Sequence, residues 1–120
     1  MHRFVADLKS RHEETRIKGA KDLYNYVSGD LREVSAEELN SILDDFNHSL
    51  YEMMVSGDSS SKMGGILAIM ALLNADVCNT GSRIHRFGNY LQNNCLPGGN
   101  AVTDPAVIAL ATKAIGRLTQ

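Results

Sequence analysis

A 46-residue echo runs through this chain three times, and it restricts the folds open to it. His12, Asp58 and Asp104 are equivalent positions, each 46 residues from the next. Seven residues after each lies a small residue: Gly19, Gly65 and Ala111. Eleven after each lies a large aliphatic: Leu23, Ile69 and Ile115. Four after come Arg16 and Lys62, with Ile108 breaking the basic pattern. The segments between echo too: Phe4 and Leu8, Phe46 and Leu50, and Phe87 and Leu91 are each Phe with Leu four later, at spacings of 42 and 41. A four-residue spacing puts both members on one helix face. Units of this size bury their apolar faces by stacking on their neighbours, so the pattern predicts an array of helices that grows in one dimension.

The local signals place the helices. Phe4, Val5 and Leu8 form a short apolar stripe over Arg3 to Lys9. Ser10 to Glu13 has the form of a capping box opening a helix to about Val27, with Ile17, Ala20, Leu23, Tyr24 and Val27 on one face. Glu14 precedes Lys18 in the favourable order for a helical ion pair, and Gly29 is a stop signal. A second capping box, Ser35 to Glu38, opens a long amphipathic helix over about Ala36 to Val55, striped by Leu39, Ile42, Leu43, Phe46, Leu50, Met53 and Met54, with Gly57 ending it. The next helix, Ser60 to about Asn74 with caps offered by Asp58 to Ser61, is apolar nearly all round, which predicts burial on several sides. Gly64 and Gly65 cost it about 1 kcal/mol each in propensity and read as close-approach positions. Asp76 to Ser82 reads as a loop, Arg83 to about Cys95 as a helix, and Leu96 to Asn100 as a breaker. Asp104 before Pro105 is a cap ahead of a first-turn proline, opening a last helix with Val107, Ile108, Leu110, Ala111, Ala114, Ile115 and Leu118. No strand pattern is present.

Each unit is thus an A helix with a Phe…Leu pair, followed by a B helix with a small residue and an aliphatic. Helical units of about 40 to 47 residues are those of HEAT and armadillo arrays. The expected fold is all-α: an α-solenoid of HEAT (armadillo-like) repeats, about two and a half of them, over 1–120, with repeat boundaries near 1–29, 35–75 and 82–119. The expected repeat core is Phe4, Leu8, Leu23, Phe46, Leu50, Ile69, Phe87, Leu91 and Ile115. The apolar outer face of the last helix, with Ile108, Ile115 and Leu118, is expected to lack a neighbour and to favour self-association.

Composition narrows the function. The chain carries 12 basic and 14 acidic residues, a formal charge of −2, which argues against broad nucleic-acid binding. Cys78 and Cys95 are too few for a disulfide framework, and the Asn47-His48-Ser49 sequon reads as chance in a cytosolic helix. No apolar run approaches the ~20 residues of a membrane span, and no signal peptide precedes the first helix. No phosphate-binding glycine loop is present, and Cys78, His85 and Cys95 fit no compact zinc spacing. No cofactor or metal is expected. An enzyme using Cys95 or His85 would need an activated thiol or a base partner, which nothing here marks.

Repeat arrays offer extended surfaces rather than pockets. Arg83, His85 and Arg86 with Thr80 and Ser82 make a small basic cluster suited to a phosphate or an acidic loop. Glu37 and Glu38, within the acidic run Asp30 to Asp45, would suit a basic partner. Tyr24, Tyr26 and Tyr51 are candidate anchors, or the edge of the core. Each charged group also reads as a solvated helix face.

Five strings carry a resemblance. LKSRHEETRIKGAKDL (Leu8 to Leu23), DLREVS (Asp30 to Ser35), KMGGILAI (Lys62 to Ile69), RIHRFGNYL (Arg83 to Leu91) and KAIGRL (Lys113 to Leu118) resemble, in collinear order, the first HEAT repeats of the target-of-rapamycin (TOR) kinases. The resemblance implies a parent serine/threonine protein kinase that acts in nutrient and growth signalling. It implies protein partners: a Rheb-type small GTPase, Raptor or Rictor complexes, and the rest of the TOR chain. It implies a cytoplasmic protein, peripherally associated with lysosomal or other endomembranes, and a nuclear pool. These 120 residues hold no kinase catalytic loop or Asp-Phe-Gly motif, no low-complexity leader and no FAT region, so a non-catalytic fragment acting as scaffold is the expectation. The alternative is a HEAT adaptor outside the TOR family.

Overall fold

The computed structural model describes residues 2–55, 58–75, 87–91 and 104–118. All its regular structure is helical: α1 (His2–Leu8), α2 (Glu13–Ser28), a 3-10 turn over Asp30–Glu33, α3 (Ala36–Val55), α4 (Ser59–Asn74), a helical segment over 87–91 (α5) and α6 (Pro105–Leu118). No strand occurs among the described residues. The helices stack as an α-helical repeat solenoid measuring 41 × 29 × 22 Å. α1 pairs with α2 and α3 with α4, while α2, α4 and α6 pack side by side as a row of B helices. On the A side the Tyr51 ring of α3 meets Tyr90 of α5 at 5.5 Å. α4 is the hub, in contact with α1, α2, α3 and α6.

The core is aliphatic. Phe4, Leu8, Leu23, Phe46, Leu50, Ile69, Phe87 and Leu91 are all buried, while Ile115 is partly buried against the same cluster. Ile115 therefore has the neighbours that the sequence pattern denied it. Ile108 is half-buried, and the Leu118 side chain lies outside the described residues, as do Gly57, the loop from Asp76, the breaker at Leu96 and most of the helix expected over Arg83 to Cys95.

The echoed small residues mark where helices touch. A Cβ on Gly19 would lie 2.9 Å from the Asp7 Cβ of α1, and one on Gly65 would lie 3.0 Å from the Met54 Cε of α3. These two set the approach of each B helix to its own A helix. Gly64 serves the next level: a Cβ there would lie 1.9 Å from the Leu8 carbonyl oxygen, so it sets the approach of the second repeat to the first.

The echoed basic residues tie down the A-to-B connections. Arg16, only 8 % exposed, donates through Nη1 to the carbonyls of Ser10 (3.0 Å) and Arg11 (3.1 Å). Lys62, 7 % exposed, donates through Nζ to the Met54 carbonyl at 2.6 Å, in the last turn of α3. Lys62 satisfies a carbonyl left free where α3 ends, and Arg16 satisfies two carbonyls of the loop that follows α1.

Three local expectations are corrected. The box at Ser10 does not cap α2: its hydroxyl accepts from the His12 amide, the helix starts at Glu13, and the N-cap His12 makes no side-chain cap bond. Arg16 holds the Ser10–Arg11 carbonyls in the loop, and that delays the helix. Lys18 pairs not with Glu14 but with Asp22 at 2.8 Å, and approaches Asp7 at 4.0 Å, because α1 lies alongside. The inward row of α2 is Arg16, Gly19, Leu23 and Val27, leaving Ile17 49 % and Tyr24 38 % exposed. The helix turns its smallest residue toward α1, and that rotates Ile17 outward. Gly29 does end α2, as the sequence pattern predicts: it is the C-cap, its amide donates to the Asn25 carbonyl at 3.0 Å, and the chain then enters the 3-10 turn.

Elsewhere the capping chemistry holds. The Ser35 hydroxyl accepts from the Glu38 amide at 3.2 Å. Asp58 accepts from the Ser60 amide and the Ser61 hydroxyl, both at 3.1 Å. Asp104 accepts from the Ala106 amide at 2.9 Å. Among the described residues no helix is long and apolar enough to cross a membrane.

Candidate interaction surface

Among the described residues, the positions singled out in the sequence do not converge. Glu37 and Glu38 lie exposed in the first turn of α3. Tyr51 is 47 % exposed on the A side, its ring against Tyr90. Tyr26 packs against Phe4, with ring centroids 5.5 Å apart. Arg83 and Arg86, with Thr80, Ser82 and His85, lie outside the described residues, as do Cys78 and Cys95. Among the described residues no group of three or more His, Cys, Asp or Glu side chains is placed to hold a metal. Asn47 of the sequon is only 4 % exposed in the middle of α3, so the folded chain closes it to a glycan.

The surface with most character is elsewhere, on the B-helix row. Two adjoining grooves of about 500 Å³ and 540 Å³ run between α2, α4 and α6 and share Ile17 and Leu67. The floor is α4, with Met63, Leu67 and Met70 half-buried. One wall is α2, with Ile17, Ala20, Lys21 and Tyr24; the other is α6, with Ala106, Ala109, Leu110 and Lys113. At one end, an Arg117 guanidinium nitrogen donates to the Asn74 side-chain oxygen.

The repeat arithmetic explains this alignment. Five residues past the anchor lie Ile17, Met63 and Ala109; nine past lie Lys21, Leu67 and Lys113; twelve past lie Tyr24 and Met70. Offsets of four and three residues trace one stripe along each B helix. Stacked repeats bring the three stripes to one face, with the apolar stripe in the middle and a lysine on each side. In the sequence this surface is masked by the large apolar residues that mark the core; its signal lies in the same 46-residue echo, at the offsets five, nine and twelve.

A third cleft is lined by Phe4, Asp7, Lys18, Asp22, Asn25, Tyr26 and Asp30, three carboxylates around one lysine. Lys18 bridges toward two of its carboxylates, and the Asp22 bond raises its pKa from 10.5. It remains highly exposed, so this pair contributes little to stability.

Comparison with known proteins gives the chain its relatives. It is 34 % identical over 118 residues to the serine/threonine-protein kinase mTor of Drosophila melanogaster, covering 98 % of this chain. It is 31 % identical over 115 residues to the serine/threonine-protein kinase tor1 of Schizosaccharomyces pombe, and 32 % identical over 114 residues to TOR2 of Saccharomyces cerevisiae. The chain is homologous to a segment of the TOR serine/threonine kinases. It spans only about 5 % of the length of the fly and fission-yeast relatives and 4 % of the budding-yeast one. No family model matches the chain, and no solved structure matches it.

Proposed function

We propose that this chain is the N-terminal HEAT segment of a TOR kinase and works as a non-catalytic scaffold that presents partner surface in nutrient and growth signalling. The observation that carries this reading is the B-helix face. Three stacked repeats in a TOR-related chain align an apolar stripe with two flanking lysines on one open side. Burying such a face against a partner would recover about 25 cal/mol per Å² of apolar area, and flanking charges would set orientation and encounter rate more than affinity. In this reading the parent is a cytoplasmic serine/threonine kinase with a pool on endomembranes. The segment holds shape and contacts, and chemistry belongs elsewhere in the parent.

The partner proposed for the wider region is a Rheb-type GTPase, within Raptor- or Rictor-built assemblies. The test is a pull-down of the purified chain with GTP-loaded and GDP-loaded Rheb, alongside charge reversals at Arg83/Arg86 and Glu37/Glu38. GTP-selective capture lost in one reversal locates an effector surface. Equal or absent capture in both nucleotide states removes the GTPase from the reading.

A further inference from the structure

We infer that the groove on the B-helix row is a docking site for an amphipathic helix with an apolar stripe flanked by carboxylates. The groove takes its length from Glu13 to Tyr24 on α2 and from Met63 to Asn74 on α4. At 1.5 Å per residue that is about 16 Å, or three helical turns. Its floor is apolar and deformable: two of its residues are methionines, which repack around varied side chains. Ile17 stands half-exposed on the wall, an aliphatic that a partner's stripe would cover.

The charges decide what kind of helix fits. Lys21 and Lys113 are exposed on opposite walls, and neither makes an ion pair among the described residues. The Arg16 guanidinium, 8 % exposed, also lines the groove, at the α1–α2 loop end of α2. Its Nη1 bonds go to neutral carbonyls and its Nε has no hydrogen-bond partner, so no carboxylate of the described residues balances this buried charge. Arg117 adds a fourth cation at the Asn74 end. Among the described residues, Glu13 is the only acid lining either groove. A chain of net charge −2 has thus gathered uncompensated cations around one apolar trough. An apolar stripe seats on the α4 floor, and acidic residues on either side of it meet Lys21 and Lys113. This is the helix-in-groove mode of recognition, with electrostatic complementarity selecting the partner.

The inference rests on the B-helix row being the contact face and fails separately from the GTPase reading. The probe is a stapled 14-residue helical peptide with leucines on one stripe and glutamates on both flanks, compared with the same peptide flanked by lysines. Binding to the full chain is followed by fluorescence anisotropy and by amide shifts in NMR. The acidic peptide is expected to bind at least tenfold tighter than the basic one, to weaken with added salt, and to shift residues of α2, α4 and α6. K21E/K113E is expected to invert that preference, and Ile17→Asp to abolish binding of both peptides. All three substituted side chains are exposed, so the far-UV spectrum and melting temperature report an intact fold alongside. Equal affinity for the two peptides, binding by neither, or shifts confined to the A side would overturn the proposal. So would concentration-dependent dimerisation that Ile17→Asp removes, because the groove would then take a second copy of this chain. Peptide binding without Rheb capture leaves this inference standing and the GTPase reading fallen; the converse separates them the other way.

Discussion

Gly64 leaves no space for a side chain. An added methyl would sit 1.9 Å from the Leu8 carbonyl oxygen and 2.6 Å from its carbon, which are backbone atoms that cannot swing aside. Gly64→Ala therefore has to push the two repeats apart, and it should cost about 3 kcal/mol, at the upper end for overpacking. Gly116 is the internal control. Nothing lies within 4 Å of a Cβ built there, in the exposed flank of α6. Gly116→Ala should instead stabilise by about 1 kcal/mol, the helix propensity difference between the two residues. Urea denaturation of both variants beside the parent chain checks the pair. If Gly64→Ala stabilises as Gly116→Ala does, propensity outweighs the repeat-to-repeat contact.

At the scale of the element, the start of α6 is held by one carboxylate that serves two helices. Asp104 receives the Ser59 hydroxyl from the first turn of α4, then the amides of Ala106 and Val107, and these bonds hold its pKa below 3.8. A carboxyl whose folded pKa is lowered adds stability at pH values above its unfolded pKa. That contribution disappears as pH falls through the lower folded value. Asp104→Ala should thus melt earlier than the parent at neutral pH, with the gap narrowing in acid well below pH 3.8. Asp104→Asn keeps a capping oxygen and should lie between the two at neutral pH. Thermal melts of the three chains at both pH values measure this, and a gap that stays constant with pH would show that the charge plays no part. Lys62 supports a similar junction through the Met54 carbonyl. Lys62→Met keeps the aliphatic stem, removes a charged hydrogen bond, and should cost about 1.5–3 kcal/mol by the same urea titration.

For the molecule as a whole, the repeat was legible and the surface was not. Helix pairs, the Ser35, Asp58 and Asp104 caps and the Phe…Leu core follow from spacing and side-chain chemistry, which are local properties. The rotation of α2 was hidden because it is fixed by Gly19 against Asp7, where the smallest residue rather than the largest points inward. The groove was hidden because its floor and walls come from three helices 46 residues apart and exist only after stacking. Stacking also concentrates stability in α4, which touches α1, α2, α3 and α6. In a one-dimensional array each unit is held by its neighbours, so loss of the middle unit releases both ends. Ile69 is fully buried in that helix. Ile69→Ala should cost about 2–5 kcal/mol as lost transfer and cavity terms, whereas Ile17→Ala on the exposed wall should stay within about 0.5 kcal/mol. Native-state hydrogen exchange should show the α4 amides around Ile66–Ile69 opening only with global unfolding. The α1–α2 and α6 amides should lose protection together when Ile69 is truncated. If α6 opens at its own lower free energy while α1–α2 keeps full protection, the three repeats are not one cooperative unit, and α4 is a neighbour rather than a keystone.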